Sequence, residues 1–172
     1  MTESHLWYDN LNSLLHSLAV SHNLTIEKVA GIFVTFSAQK DFAINLNQTI
    51  EFLDGRPITG MYSGKQLSTA NRILAGEDPL NVWAKESLKY RNFYYSILLQ
   101  DGAVCVDTHI IRYYLKLHPY SKLHRLDLEA IFKRKWAYVT IQRYVRRVSV
   151  QMGIKTYQAQ AYIWVVQRGA MW

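Results

Sequence analysis

The chain has 172 residues, of which 49% are hydrophobic and 13% aromatic, and its formal net charge is +7. This composition excludes a disordered chain, because enough apolar surface is available to offset the entropy lost on folding. The single cysteine excludes an intramolecular disulfide framework. No apolar run reaches the ~18 residues that a membrane span needs, and no signal peptide is recognised. We therefore expect a cytoplasmic protein with a polyanionic partner and no membrane partner.

Apolar residues recur at helical spacing along most of the chain, and alternation with a period of two is absent. The fold class is therefore predicted to be all-α. Ser, Thr and Asp residues before several apolar segments predict helix starts, and Gly residues after them predict helix ends. We predict helices over residues 6–20, 26–37, 42–53, 63–75, 87–99, 108–115, 126–132, 136–152 and 156–167, with a short segment over residues 77–83. No linker or internal repeat divides the sequence, so residues 1–172 are expected to form one domain.

The segment from residue 103 to residue 115 differs from the rest of the chain. A short apolar run, Ala103–Val106, leads to Asp107 and Thr108, and an apolar-periodic segment follows. A helix start places the Asp107 carboxylate beside exposed N–H groups and the positive end of the helix dipole. From these residues alone, an N-cap is the simplest interpretation of Asp107.

The same segment carries a family resemblance. Val106-Asp107-Thr108-His109-Ile110-Ile111-Arg112 resembles the V-D-T-H-x-x-R signature of the helix-hairpin-helix DNA glycosylases, in particular the endonuclease III branch. The resemblance implies a catalytic Asp107. It also implies that Lys89, which stands 18 residues earlier, is the nucleophile that forms a Schiff base. By the same resemblance, the fold would have two helical lobes and a central cleft holding both residues.

Further motifs of that family follow in the same order. Ser37-Ala38-Gln39 resembles an S-A-Q motif whose glutamine enters the space vacated by the flipped nucleotide, a role that would fall to Gln39. The segment 60–65 resembles G-L-Y-x-x-K, with Met61 at the position of the inserted leucine and Lys65 at that of the lysine. The segment 164–169 is similar to W-x-x-x-x-G. The resemblance covers roughly residues 26–169.

Two departures from the family pattern change what the resemblance implies. The four cysteines of the family's iron–sulfur loop are absent, so no cluster and no other cofactor is expected, and the six histidines show no metal-ligand spacing. The family's L-P-G-V-G-x-K hairpin, whose glycines let backbone N–H groups approach a phosphate, is replaced by residues 83–89. Ser87 is expected to cap the following helix there, and Lys65, Lys85 or Arg91 to compensate in phosphate binding.

The implied function is a DNA glycosylase with AP-lyase activity that acts on a nucleotide flipped out of double-stranded DNA. The attacking amine of Lys89 must be neutral, so we expect it to be partly buried or close to another cation. His109 and Arg112 are candidate DNA contacts, and the protein is expected to act as a monomer. Two alternatives remain open: a DNA-binding module of the same fold without turnover, and an enzyme that acts on modified bases in DNA modification or phage defence.

Each candidate also has a purely structural interpretation. Lys89 could be a solvated helix residue, Gln39 a polar residue at a helix end, and Met61 a filler of a gap in the core. The aromatic residues of the predicted helix 87–99 are more typical of a core than of a base-stacking pocket; they include Tyr90, Tyr94 and Tyr95. Arg143, Arg146 and Arg147 are expected on a solvated helix face, with phosphate contact as the second interpretation.

Overall fold

A computed structural model describes residues 3–38, 40–85, 87–116 and 134–168. Over these residues the chain forms a 3₁₀-helix and nine α-helices, with no β-strand, so the predicted all-α class is confirmed for the part that the structure describes. The 3₁₀-helix spans Glu3–Leu6. The α-helices are α1 (Trp7–Ser21), α2 (Ile26–Phe36), α3 (Phe42–Leu53), α4 (Gly64–Leu74), α5 (Pro79–Val82), α6 (Leu88–Ile97), α7 (Thr108–Tyr114), α8 (Lys135–Met152) and α9 (Thr156–Arg168).

Three of the predicted helix ends agree with the observed caps. Thr25 accepts a hydrogen bond from the backbone N–H of Lys28 at the start of α2. Ser63 and Gln66 form a reciprocal capping box at the start of α4. Gly153 ends α8 in the left-handed conformation, with φ 65°. The helix predicted over residues 126–132 lies outside the described residues.

The chain folds into two compact units, one formed by Leu11–Leu98 and the other by Met1–Asn10 together with Leu99–Trp172. In the first unit, α2 is buried from Val29 to Phe36, as its nearly uniform apolar surface predicts. Gly31 permits a close approach there, because a Cβ at this position would lie 2.5 Å from Cγ of Pro79. Trp83 is buried against α2 and donates its indole N–H to Thr35 Oγ1 at 3.1 Å.

In the second unit, the buried segment Ala103–Val106 has no regular secondary structure and pairs with no strand among the described residues. Side chains from the helices satisfy its backbone instead. Gln160 on α9 accepts from the N–H of Cys105 at 2.6 Å, and Gln142 on α8 donates to the carbonyl of Val104 at 3.1 Å. These bonds fix the segment that leads directly to Asp107.

Three tyrosines of α6 are predicted to lie in a core rather than in a base-stacking pocket. Tyr94 is 4% exposed, and its ring packs edge-on against Trp83 with the centroids 5.5 Å apart, so the core interpretation is confirmed for Tyr94. Tyr90 and Tyr95 are half-buried on the same helix. Among the described residues, no helix combines the length and the apolar character that crossing a membrane requires.

Candidate functional site

Asp107 is the N-cap of α7, with φ −122° and ψ −176°. Its Oδ1 accepts a hydrogen bond from the backbone N–H of Ile110 at 2.9 Å, which is the contact predicted for a capping aspartate. Its Oδ2 accepts from the indole Nε1 of Trp164 on α9 at 3.0 Å. The residue is only half-buried. The carboxylate is thus held at both oxygens and still retains acceptor capacity for a substrate or a proton.

The indole that binds Asp107 is itself held by its neighbours. The guanidinium carbon of Arg168 lies 5.1 Å from the centroid of the Trp164 ring. The ring of Trp7 lies 5.7 Å away, and the imidazole of His109 packs edge-on at 5.9 Å. A ring contacted by three neighbours loses little freedom when it donates a hydrogen bond, so the Trp164 N–H is a preorganised donor to the carboxylate.

Two further residues of the V-D-T-H-x-x-R segment are predicted DNA contacts. His109 and Arg112 are both half-buried on α7. The imidazole of His109 packs against Trp164, which is a structural role. The Nε atom of Arg112 is buried with no hydrogen-bond partner among the described residues. Neither residue lies on the fully exposed surface, and their contact with DNA stays a prediction.

Lys89 lies in the first turn of α6, in the unit Leu11–Leu98, whereas Asp107 belongs to the other unit. Its side chain is exposed. The expected partial burial of Lys89 is therefore wrong, because α6 presents this position to solvent. No hydrogen bond or ion pair joins its amine to another of the residues that the structure describes.

The turn before Lys89 also differs from the expectation. Ser87 occupies the N-cap position of α6, with φ −74° and ψ 57°, but its side chain makes no capping hydrogen bond. The prediction that Ser87 caps this helix is therefore wrong, since its ψ angle lies far from the extended value that the capping geometry requires. Arg91 donates from Nη1 to the carbonyl of Leu80 at 2.7 Å and thereby joins α6 to α5. The contact of Arg91 with a phosphate stays a prediction.

The loop between α3 and α4 presents Met61, whose side chain is 90% exposed. The interpretation of Met61 as a core gap-filler is therefore wrong. The backbone of this loop is held by α3. Glu51 accepts from the N–H of Thr59 at 2.7 Å, and Gln48 donates to the carbonyls of Thr59 and Met61 at 2.6 and 3.5 Å. An exposed apolar side chain thus stands on a loop with a fixed backbone.

The segment Ser37-Ala38-Gln39 follows α2 in the same unit. Gln39 lies outside the described residues, so its predicted role stays a prediction. Ser37 ends α2, and its hydroxyl donates to the carbonyl of Val34 at 2.7 Å. Lys40 reaches Oε1 of Gln48, the residue that also holds the Met61 loop. Lys65, in the first turn of α4, is exposed. The structure therefore brings Lys40 and the Met61 loop to one buried amide.

Comparison with known proteins shows the family of this chain. The profile of one protein family matches residues 1–171, which is nearly the whole chain. The chain belongs to this family. The family is described as a family of unknown function (DUF7178). No curated protein and no solved structure matches the chain.

Three residues of the site were not predicted from the sequence. Trp164 belongs to a recognised motif, but its bond to Asp107 spans 57 positions. Glu51 and Gln48 are polar residues within a predicted helix, which normally indicates a solvated face. Glu51 and Gln48 are three positions apart and lie on the side of α3 that also buries Asn45 and Phe52. This helical spacing is the signal that could have identified them as buried. Over the described residues, no group of three His, Cys, Asp or Glu side chains could hold a metal ion.

Proposed function

We propose that this protein excises a damaged or modified base from double-stranded DNA and then cleaves the resulting abasic strand. The observation that carries the proposal is the 90% exposure of Met61 on a loop whose backbone is bonded to buried side chains of α3. Soluble proteins do expose single apolar residues, but a fixed loop is what an inserting wedge needs. A wedge that replaces stacking offsets part of the cost of flipping a nucleotide.

The fold proposed for this function is the two-lobed helix-hairpin-helix glycosylase fold with a central cleft. Its support is the all-α structure of the described residues, the division of the chain into two compact units, and the ordered set of motifs. The proposal requires Lys89 of one unit and Asp107 of the other to act on the same nucleotide.

The proposed chemistry uses an amine and a carboxylate. The deprotonated Lys89 nitrogen forms a bond to C1′ while the glycosidic bond breaks, and the base leaves with the electron pair and takes up a proton. Asp107 stabilises the positive charge that develops on the sugar. The added nitrogen loses a proton and O4′ gains one, and the C1′–O4′ bond breaks as the nitrogen lone pair forms the iminium ion. A general base then removes a proton from C2′, and the C3′–O bond breaks with the 3′-phosphate as the leaving group. The free lysine returns when water hydrolyses the iminium.

The proposal is tested with two kinds of end-labelled duplex, one with a single abasic site and one from a panel with single modified bases. We expect the wild-type protein to nick the abasic strand without added alkali and to excise at least one base of the panel. The Lys89→Gln variant should lose the nicking. Lys116→Gln is the matched control, because Lys116 is an exposed lysine with no expected role in DNA binding, and it should nick normally.

The second candidate function is a DNA-binding module without turnover. The exposure of Lys89 favours it, because neither burial nor a hydrogen bond from the described residues holds this amine in position for attack on a sugar. Ser87, which leaves the α6 terminus without a side-chain cap, also departs from the expected hairpin. A wild-type protein that binds duplex DNA but neither nicks nor excises in these assays would support the module and refute the enzyme.

A further inference from the structure

Gln48 is a completely buried polar residue on α3, with 0% of its surface exposed. Both ends of its amide are used. Its Oε1 accepts a hydrogen bond from Nζ of Lys40, and its Nε2 donates to the carbonyl of Thr59 at 2.6 Å and to that of Met61 at 3.5 Å. One buried side chain therefore connects the segment that follows α2 with the loop that carries Met61.

The contacts require an amide at this position. An amide accepts from an ammonium group and donates to two carbonyls at the same time, whereas an ionised glutamate only accepts and a lysine only donates. The loop is shaped around this group. Gly60 has φ +79°, and a Cβ there would lie 3.3 Å from Gln48 Nε2, so glycine allows the close approach.

The Lys40 side of this connection is also held. Lys40 is half-buried, and its amine lies 5.4 Å from the centroid of the Phe36 ring. Burial lowers the pKa of this amine. Gln66 on α4 donates to the carbonyl of Thr35 at 3.0 Å, which joins the start of α4 to the end of α2. Lys40 is thus a fixed partner for Gln48 rather than a freely moving surface lysine.

We infer that Gln48 is a positioning residue that couples Lys40 to the backbone of residues 59–61, and so keeps the loop ordered before Met61 meets DNA. A loop ordered in the free protein does not lose that freedom during binding, which favours insertion. The inference rests on the proposed function, because the insertion of Met61 belongs to it. The coupling itself is a property of the free protein.

Two substitutions break the coupling from different sides. Gln48→Glu retains the acceptor for Lys40 and removes the donor to the two carbonyls. Lys40→Met leaves Gln48 in place and removes the ammonium group that orients its amide, and among the described residues no hydrogen bond joins the Lys40 amine to the loop itself. Lys40→Arg is the conservative variant, because it keeps a charged donor. Gln100→Glu, at an exposed position, controls for the added negative charge.

The first measurement is amide hydrogen exchange of the free protein over residues 59–61. We expect exchange to accelerate at least roughly fivefold in Gln48→Glu and in Lys40→Met, which corresponds to the loss of about one hydrogen bond. Lys40→Arg and Gln100→Glu should exchange as the wild type does. Unchanged exchange in Lys40→Met overturns the inference. Because Lys40 is only half-buried, this variant remains informative even where Gln48→Glu fails to fold.

The second measurement uses a duplex with a tetrahydrofuran abasic analogue beside 2-aminopurine, whose fluorescence rises when a wedge unstacks it. Gln48→Glu and Lys40→Met should slow the rise at least roughly fivefold, and Lys40→Arg should restore the wild-type rate. Faster exchange with an unchanged fluorescence rate overturns the positioning role. If the wild-type protein produces no rise in 2-aminopurine fluorescence, the proposed insertion of Met61 is refuted. The hydrogen exchange of the free protein then still decides whether Gln48 couples Lys40 to the backbone of residues 59–61.

Discussion

The two oxygens of Asp107 have different partners, so a substitution separates its capping role from its charge. Asparagine caps helices about as well as aspartate and can still accept from the N–H of Ile110. Its amide N–H₂ would then face the indole N–H of Trp164, where aspartate presents an acceptor. When these two donors face each other, neither N–H group has an acceptor. Asp107→Asn is therefore not the neutral substitution that capping alone predicts.

We expect Asp107→Asn to lower the free energy of unfolding by about 1–3 kcal/mol, the cost of leaving a hydrogen-bonding group unsatisfied. Trp164→Phe removes the facing donor and retains an aromatic ring. The double variant Asp107→Asn/Trp164→Phe should lose about 1 kcal/mol less free energy of unfolding than the sum of the two single losses. Urea unfolding of the wild type and the three variants, in a double-mutant cycle, measures this difference. Strict additivity would contradict the hydrogen bond between the indole and the carboxylate.

The proposed catalytic role of Asp107 is tested with the same variants. The double variant keeps the cap and relieves the facing donors but lacks the negative charge that stabilises an oxocarbenium-like sugar. Its single-turnover rate of base excision should fall by roughly 100-fold to 1000-fold, the usual effect of removing one electrostatic stabiliser. Trp164→Phe alone should retain most of the rate. If the double variant excises at the wild-type rate, Asp107 is only a cap.

At the scale of whole elements, the loop between α3 and α4 depends on Glu51. The carboxylate accepts from the N–H and the hydroxyl of Thr59 and from Asn47. The hydrogen bond from the Thr59 backbone is the largest cause of the lowered pKa of Glu51, whose ordinary value is 4.5. A lowered pKa in the folded state contributes stability that is complete above the unfolded pKa and is lost as pH falls through the folded pKa.

The wild-type protein should therefore be more stable than Glu51→Gln near neutral pH, and the difference should shrink as pH falls below 4.5. The measurement is urea unfolding of both proteins between pH 7 and pH 3. The difference between the two proteins isolates Glu51, because Asp54, Glu77 and Asp101 also have lowered pKa values and titrate equally in both. A difference that does not depend on pH would contradict the role of the ionised carboxylate.

The helices and their caps could be predicted because the signals are local. An apolar period of 3.6 and a capping residue such as Ser63 lie within a few positions of the structure that they cause. The partners of Trp164 and Gln48 could not be predicted, since their bonds join residues 57 and 11 positions apart. The exposure of Lys89 could not be predicted either. The spacing between Lys89 and Asp107 identifies the position of Lys89 in a motif, but it does not show which face of α6 Lys89 occupies.

For the whole molecule, the net charge of +7 predicts binding that depends on salt. Arg143 and Arg147 are exposed on α8, as expected for a solvated face. Arg146 is exposed too, but its guanidinium holds the carbonyl of Gly102 at 2.7 and 3.0 Å, so its role is partly structural. The first two arginines are therefore the better candidates for phosphate contacts.

Duplex affinity should fall with salt, with a slope of log K against log[salt] of about −0.9 for each phosphate neutralised. Replacing Arg143 and Arg147 with glutamine should reduce the magnitude of this slope by up to about 2 and weaken binding to all sequences alike. Fluorescence anisotropy of a labelled duplex over a range of salt concentrations measures both effects. A wild-type affinity that does not change with salt would contradict a nucleic-acid partner.

The central claim, that Lys89 forms a covalent bond to C1′ of DNA, is tested most directly by borohydride trapping. Borohydride reduces the iminium ion and leaves a stable protein–DNA adduct. We predict an adduct between the wild-type protein and an abasic duplex, with peptide mapping that locates the modification at Lys89. Lys116→Gln should form the adduct in full, and Lys89→Gln should form none while it still binds the duplex. Full trapping by Lys89→Gln, or no trapping by the wild type, would contradict this claim.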